Sequence, residues 1–122
     1  MILSLLYSNL KYNQVQFHQD HMHPVALLTK NKLIKLGISE ERTENWQELK
    51  DKLPNLQLME GTENESKNKT PLKEWLSSEG KGEQYLRDNY FPDKIDLDIK
   101  HFEEFYEDRK NILRKEIKKI LK

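Results

Sequence analysis

The last quarter of the chain limits its fold more than any other part. Ile99, Phe102, Phe105, Tyr106, Ile112, Leu113, Ile117, Ile120 and Leu121 recur at steps of three and four, which draws one apolar stripe along about 23 residues of helix. A stripe of that length has to be covered by other elements, because the run holds too few heptads to prefer a coiled coil. Asp98 stands at its start as an N-cap. With 122 residues there is chain for one modest core and not for two, so the expectation is a single domain over 1–122.

The elements that would cover the stripe are short. "QVQFH", 14 to 18, and "NLQLM", 55 to 59, alternate polar and apolar, with Val15 and Phe17 on one face and Leu56 and Leu58 on the other strand's apolar face. Between them, Asp20 to Pro24 reads as a turn, because proline biases the residue before it away from helical geometry. "TKNKLIKLG" is a short helix stopped by Gly37, and "SEERTENWQELKDKL" carries Trp46, Leu49 and Leu53 at helical spacing until Pro54. "TENESKN" begins with an N-cap threonine, Thr70 and Pro71 open a helix with Leu72, Trp75 and Leu76, and "EQYLRDNYF" is a short helix ended by Pro92. The fold class is therefore α+β, mainly α.

The opening "MILSLLY" has no basic residue before it, is too short to span a bilayer and lacks a small-residue cleavage site. It reads as a buried helix from about Ile2 to Leu10, apolar on nearly every side, as though a preceding domain of a longer protein covered it. No membrane partner is expected. Lys and Arg together number 21, as do Asp and Glu, so no overall positive field draws the chain to nucleic acid and any such contact must be local. Without cysteine, metal chemistry would rest on His, Asp, Glu and Asn, which fits a reducing cytoplasm.

"FHQDHMHP", 17 to 24, holds three of the four histidines. A strand, Asp20-His21, a turn ending at Pro24, a second strand opened by Asn55, and a helix bearing Asn64 and Lys67 follow one another in the order of a ββα-metal unit. "DHMHP" matches the Asp-His-x-x-Pro of HNH nucleases, and "NLQLMEGTENESK" matches their Asn-x-x-Leu with a second Asn nine residues on and a Lys three further. The HNH domain of RNA-guided nucleases has the same spacing. More widely, "ILSLLY", "FHQDHMHP" and "LPNLQLMEGTENESKNKTPLKEW" resemble the C-terminal nuclease half of GmrSD-like modification-dependent restriction endonucleases. That resemblance implies an HNH finger over about 14–70 with additional packed helices. It also implies DNA as substrate, a restriction or phage-defence role, and an N-terminal nucleotide-hydrolysing domain in the parent protein.

Phosphodiester hydrolysis needs a deprotonated water and a cation on the non-bridging and leaving oxygens. His21 is the candidate general base, because imidazole is the side-chain type suited to taking a proton from water near neutral pH. Asp20 and Asn64 offer hard oxygens for Mg²⁺ or Mn²⁺. Adjacent residues of an extended segment point to opposite sides, so Asp20 and His21 can serve metal and water separately. Asn55 would hold the opposing turn and fix the imidazole, or simply initiate its strand. Lys67 and Lys69 would reach substrate phosphate, Lys67 otherwise being a solvated helix lysine. His23 has three roles open to it: touching DNA, replacing Asp20 on a softer metal, or none.

Two basic patches could meet DNA: "SKNKTPLK", with Lys67, Lys69 and Lys73, and "LRKEIKKILK", whose five cations equally complement the negative end of the final helix. Neither carries a base-reading pattern. The reading is a Mg²⁺- or Mn²⁺-dependent DNA endonuclease module; the alternative is a catalytically inactive nucleic-acid-binding or helical interaction domain.

Overall fold

The computed structural model describes residues 6–7, 17–60, 67 and 69–121. It is mainly helical with one small sheet. Strands β1 (Phe17–His21) and β2 (Leu56–Glu60) pair antiparallel, with Asp20 opposite Gln57 and His21 opposite Leu56. Between them lie α1 (Lys30–Lys35) and α2 (Glu40–Leu49), and after them come α3 (Leu72–Ser78), α4 (Glu83–Asp88) and α5 (Phe102–Ile120). Single 3-10 turns at Val25–Leu27, Leu53–Asn55 and Ile99–His101 lead into the elements that follow.

Local chemistry sets several of these boundaries. Gly37 takes a left-handed φ of 88° and lets the Ile38 amide return to the Leu33 carbonyl, which ends α1. Ser39 Oγ accepts the Arg42 amide and opens α2, with Glu40 and Glu41 in its first turn. Asp98 caps the 3-10 turn before α5 by accepting the Lys100 amide at 3.0 Å, so the cap acts one short turn earlier than the long helix itself.

The stripe does what its spacing requires. Phe105 joins Met22, Met59, Leu72, Trp75, Leu76 and Phe91 in one apolar cluster; Phe102 and Tyr106 join Leu28, Leu33, Ile38 and Trp46 in a second. Leu113 joins Leu6, Tyr7 and Leu56 in a third. Helix α5 is thus the common wall of all three. The stripe outruns its cover at the far end, where Ile120 and Leu121 are exposed.

Two local expectations differ from what is observed, and two more lie mostly outside the described residues. The first strand runs through Asp20 and His21, so the turn is confined to 22–24, and the expected strand residues 14 to 16 lie outside the described residues. β2 is buried on both faces: Leu56 meets Leu113 while Met59 meets Trp75, and Gln57 between them is fully enclosed. The alternation expected for one-sided burial fails because helices cover the sheet from both sides. Of the expected helix "TENESKN" only Lys67 is described, and of "MILSLLY" only Leu6 and Tyr7, both buried.

Candidate active site

Asp20 and His21 end β1, and consecutive strand residues diverge as the pleat demands. Asp20 turns inward. Its Oδ2 accepts Gln57 Nε2 at 2.9 Å from the directly opposed residue and lies 3.2 Å from Lys67 Nζ. Gln57 Oε1 in turn accepts the Tyr85 hydroxyl at 3.1 Å. Asp20 Oδ1 has no hydrogen-bond partner among the described residues. His21 turns to the other side, where its Nε2 stands 2.9 Å from Asp51 Oδ1. The two neighbours nonetheless border one shallow cavity of about 300 Å³, together with Gln19, Pro24, Val25, Ala26 and Lys69.

Lys67 is placed differently from the expectation of a phosphate-contacting lysine. Its side chain is fully buried, and Nζ donates to the His21 carbonyl at 2.7 Å while neutralising Asp20. Burial lowers its pKa, opposed by the Asp20 charge and hydrogen bond. The correction has a simple cause: a carboxylate buried at a strand end needs a counter-charge, and the long lysine stem supplies one from outside the sheet. Lys69, by contrast, is exposed on the cavity rim. Lys73 is also exposed and pairs with Asp96 at 3.0 Å.

Asn55 holds the turn, as expected, but it does not touch the imidazole of His21. Its Oδ1 accepts the His23 amide at 2.9 Å, its Nδ2 donates to the His23 carbonyl at 3.1 Å and to the Lys50 carbonyl at 2.9 Å, and its own carbonyl accepts the Met22 amide at 2.8 Å. The segment carrying Asn55 is itself fixed from α5: buried Arg109 donates to the carbonyls of Leu53, Pro54 and Leu56 at 3.2, 3.0 and 2.7 Å, and to that of Asn89.

His23 is enclosed, with its ring edge-on to Phe105 at 4.7 Å and to Phe102 at 5.6 Å. Burial, and after it the nearby Lys67 charge, pushes its pKa down to about 3 against a weaker opposing effect of Asp98. It is a neutral core histidine, which removes contact with DNA from its open roles. His18 is exposed.

Asn64 lies outside the described residues, and among those described no three His, Asp or Glu side chains converge as a metal cluster. Asp20 is therefore the described half of the expected ligand pair. Its Oδ1, without a hydrogen-bond partner among the described residues, is a hard donor that suits a cation completing its shell with water and substrate. Nothing in the sequence pattern singled out Gln57, Asp51 or Arg109. Arg109 alone had a signal, since it fills the gap in the apolar stripe between Tyr106 and Ile112. Comparison with protein-family models and with curated proteins returns no match. Among the described residues no helix is long and apolar enough to cross a membrane.

Proposed function

We propose that this chain is an HNH-type, ββα-metal nuclease module that hydrolyses phosphodiester bonds of DNA, of the kind used in restriction or phage defence. The observation that carries this reading is the end of β1: Asp20 and His21 share one cavity with Lys69 on its rim, next to a turn clamped by Asn55. Lys69 can attract a phosphate oxygen as a flexible point charge. His21 Nδ1 accepts a proton from water, the water oxygen bonds to phosphorus, and an ester P–O bond breaks, the leaving oxygen taking a proton from solvent water and the imidazolium returning its own to solvent. Asp20 Oδ1, with Asn64 as the second ligand, would hold Mg²⁺ or Mn²⁺, which supplies positive charge at the non-bridging and leaving oxygens. Lys67 then serves the site from within, by cancelling the charge on the other Asp20 oxygen.

One observation favours a second reading, that of an inactive nucleic-acid-binding or helical interaction domain: an ammonium already occupies Asp20 Oδ2, the oxygen a bidentate metal would have to share. Supercoiled plasmid separates the two. The full chain with Mn²⁺ or Mg²⁺ should nick it, chelator should stop the nicking, and His21→Ala should slow it by about a hundredfold or more. Equal rates for His21→Ala and the unmodified chain, or no metal-dependent nicking at all, would overturn the nuclease reading.

A further inference from the structure

We propose that Asp51 is a positioning residue for His21, and that Asn55 sets the spacing between the two; the inference rests on the nuclease reading for its catalytic meaning. Asp51 lies just beyond α2, and its Oδ1 is 2.9 Å from His21 Nε2. A carboxylate only accepts hydrogen bonds, so Nε2 must carry the ring proton. The lone pair is then on Nδ1, the nitrogen a general base would use. The second carboxylate oxygen is held by Lys50 Nζ at 2.7 Å, and these two hydrogen bonds, that of Lys50 first, keep the Asp51 carboxyl ionised below its usual range.

An exposed His–Asp pair alone contributes little, because ordering two side chains offsets the gain. Here the backbones are already ordered. Asn55 binds the carbonyl of Lys50, immediately before Asp51, and both the amide and carbonyl of His23, two residues after His21. Asn55 is completely enclosed, and Arg109 grips the carbonyls on both sides of it. One buried carboxamide therefore fixes how far apart the strand end and the α2 end stand, and Asp51 meets His21 without having to search. Partners of this kind orient a working histidine and commonly change its rate by about 10–100-fold when lost.

The test uses the full chain and reads the ring itself. Nitrogen-15 shifts of the His21 side chain should report the Nε2–H tautomer in the unmodified protein and a mixture in Asp51→Asn, whose amide can donate as well as accept. In Mn²⁺-dependent plasmid nicking, Asp51→Asn should lower kcat by about 10–100-fold with KM for plasmid unchanged, and Asp51→Glu should restore most of the loss. An unchanged tautomer in Asp51→Asn overturns the proposal, as does an unchanged kcat or a loss confined to KM. Should the unmodified protein fail to nick at all, the nuclease reading falls on that result, and the tautomer comparison still decides whether Asp51 orients the ring.

Discussion

Among the described residues two cations are fully buried, and they are handled in opposite ways. Arg109 sits in the wall of α5 with no carboxylate beside it among the described residues; its guanidinium is spread over the carbonyls of Leu53, Pro54, Leu56 and Asn89. Lys67 sits against a carboxylate, Asp20, and spares one bond for the His21 carbonyl. The planar fork of arginine can bind several backbone acceptors at once, whereas a compact ammonium answers a single charge. The difference separates scaffold from site. Arg109 organises a stretch of chain, while Lys67 balances one functional group.

Removing Arg109 should therefore do the most damage. Arg109→Met leaves several buried carbonyls without donors, and chemical denaturation should show a loss of about 3–5 kcal/mol, with a plasmid-nicking rate that falls in step with the folded fraction. A loss under about 1 kcal/mol would mean that the carbonyls find other partners. Lys67→Met should cost less, roughly 2–3 kcal/mol, since Gln57 still donates to the stranded Asp20 carboxylate. It should also strengthen Mn²⁺ binding measured by calorimetry, because an absent ammonium no longer opposes a second cation on Asp20. Unchanged metal affinity would show that Lys67 and the metal do not share that carboxylate's charge.

The smallest effect is the most specific. His23 is held neutral with its pKa pushed down to about 3, so the unfolded chain binds a proton below about pH 6.5 that the folded chain refuses. Stability from this group is complete above about pH 6.5 and is lost as pH falls towards 3. From pH 7 to 5.5 the loss should be on the order of 1 kcal/mol. His23→Phe, packed between the rings of Phe102 and Phe105, should remove that slope. In Lys67→Met the loss should level off at a higher pH on acidification, because the lysine charge is the second cause of the depression and without it the folded chain takes up the proton sooner. A slope unaffected by His23→Phe would assign the acid sensitivity to other groups.

What the sequence disclosed, and what it hid, follows the same division. The period of α5 located every residue that joins it to the three clusters, because a helix buried along one side writes its packing into steps of three and four. Asp20 and His21 were legible as a pair of diverging neighbours near a turn. Gln57 was not, because alternation presumes one wet face and this sheet has helices on both. Lys67 was not, because its partner His21 is 46 residues away, and a lysine among Glu, Asn and Lys looks solvated. Asp51 meets its histidine across 30 residues of chain, a distance over which no local pattern operates.

The clamp at Asn55 also has an architectural consequence. His23 and Asn55 are 32 positions apart, so the clamp closes a long excursion, α1 and α2 included, between two strands that a tight hairpin could have joined. With both ends of that excursion tied to one side chain, its length bears on the strands only through the entropy of closing it, which rises by about 0.6 kcal/mol for each doubling. The middle of the insert is thus free to vary in length and outer surface so long as something apolar still covers Phe102 and Tyr106. Its ends are not, since a single residue gained or lost next to Lys50 or His23 would turn a different side chain towards the cavity.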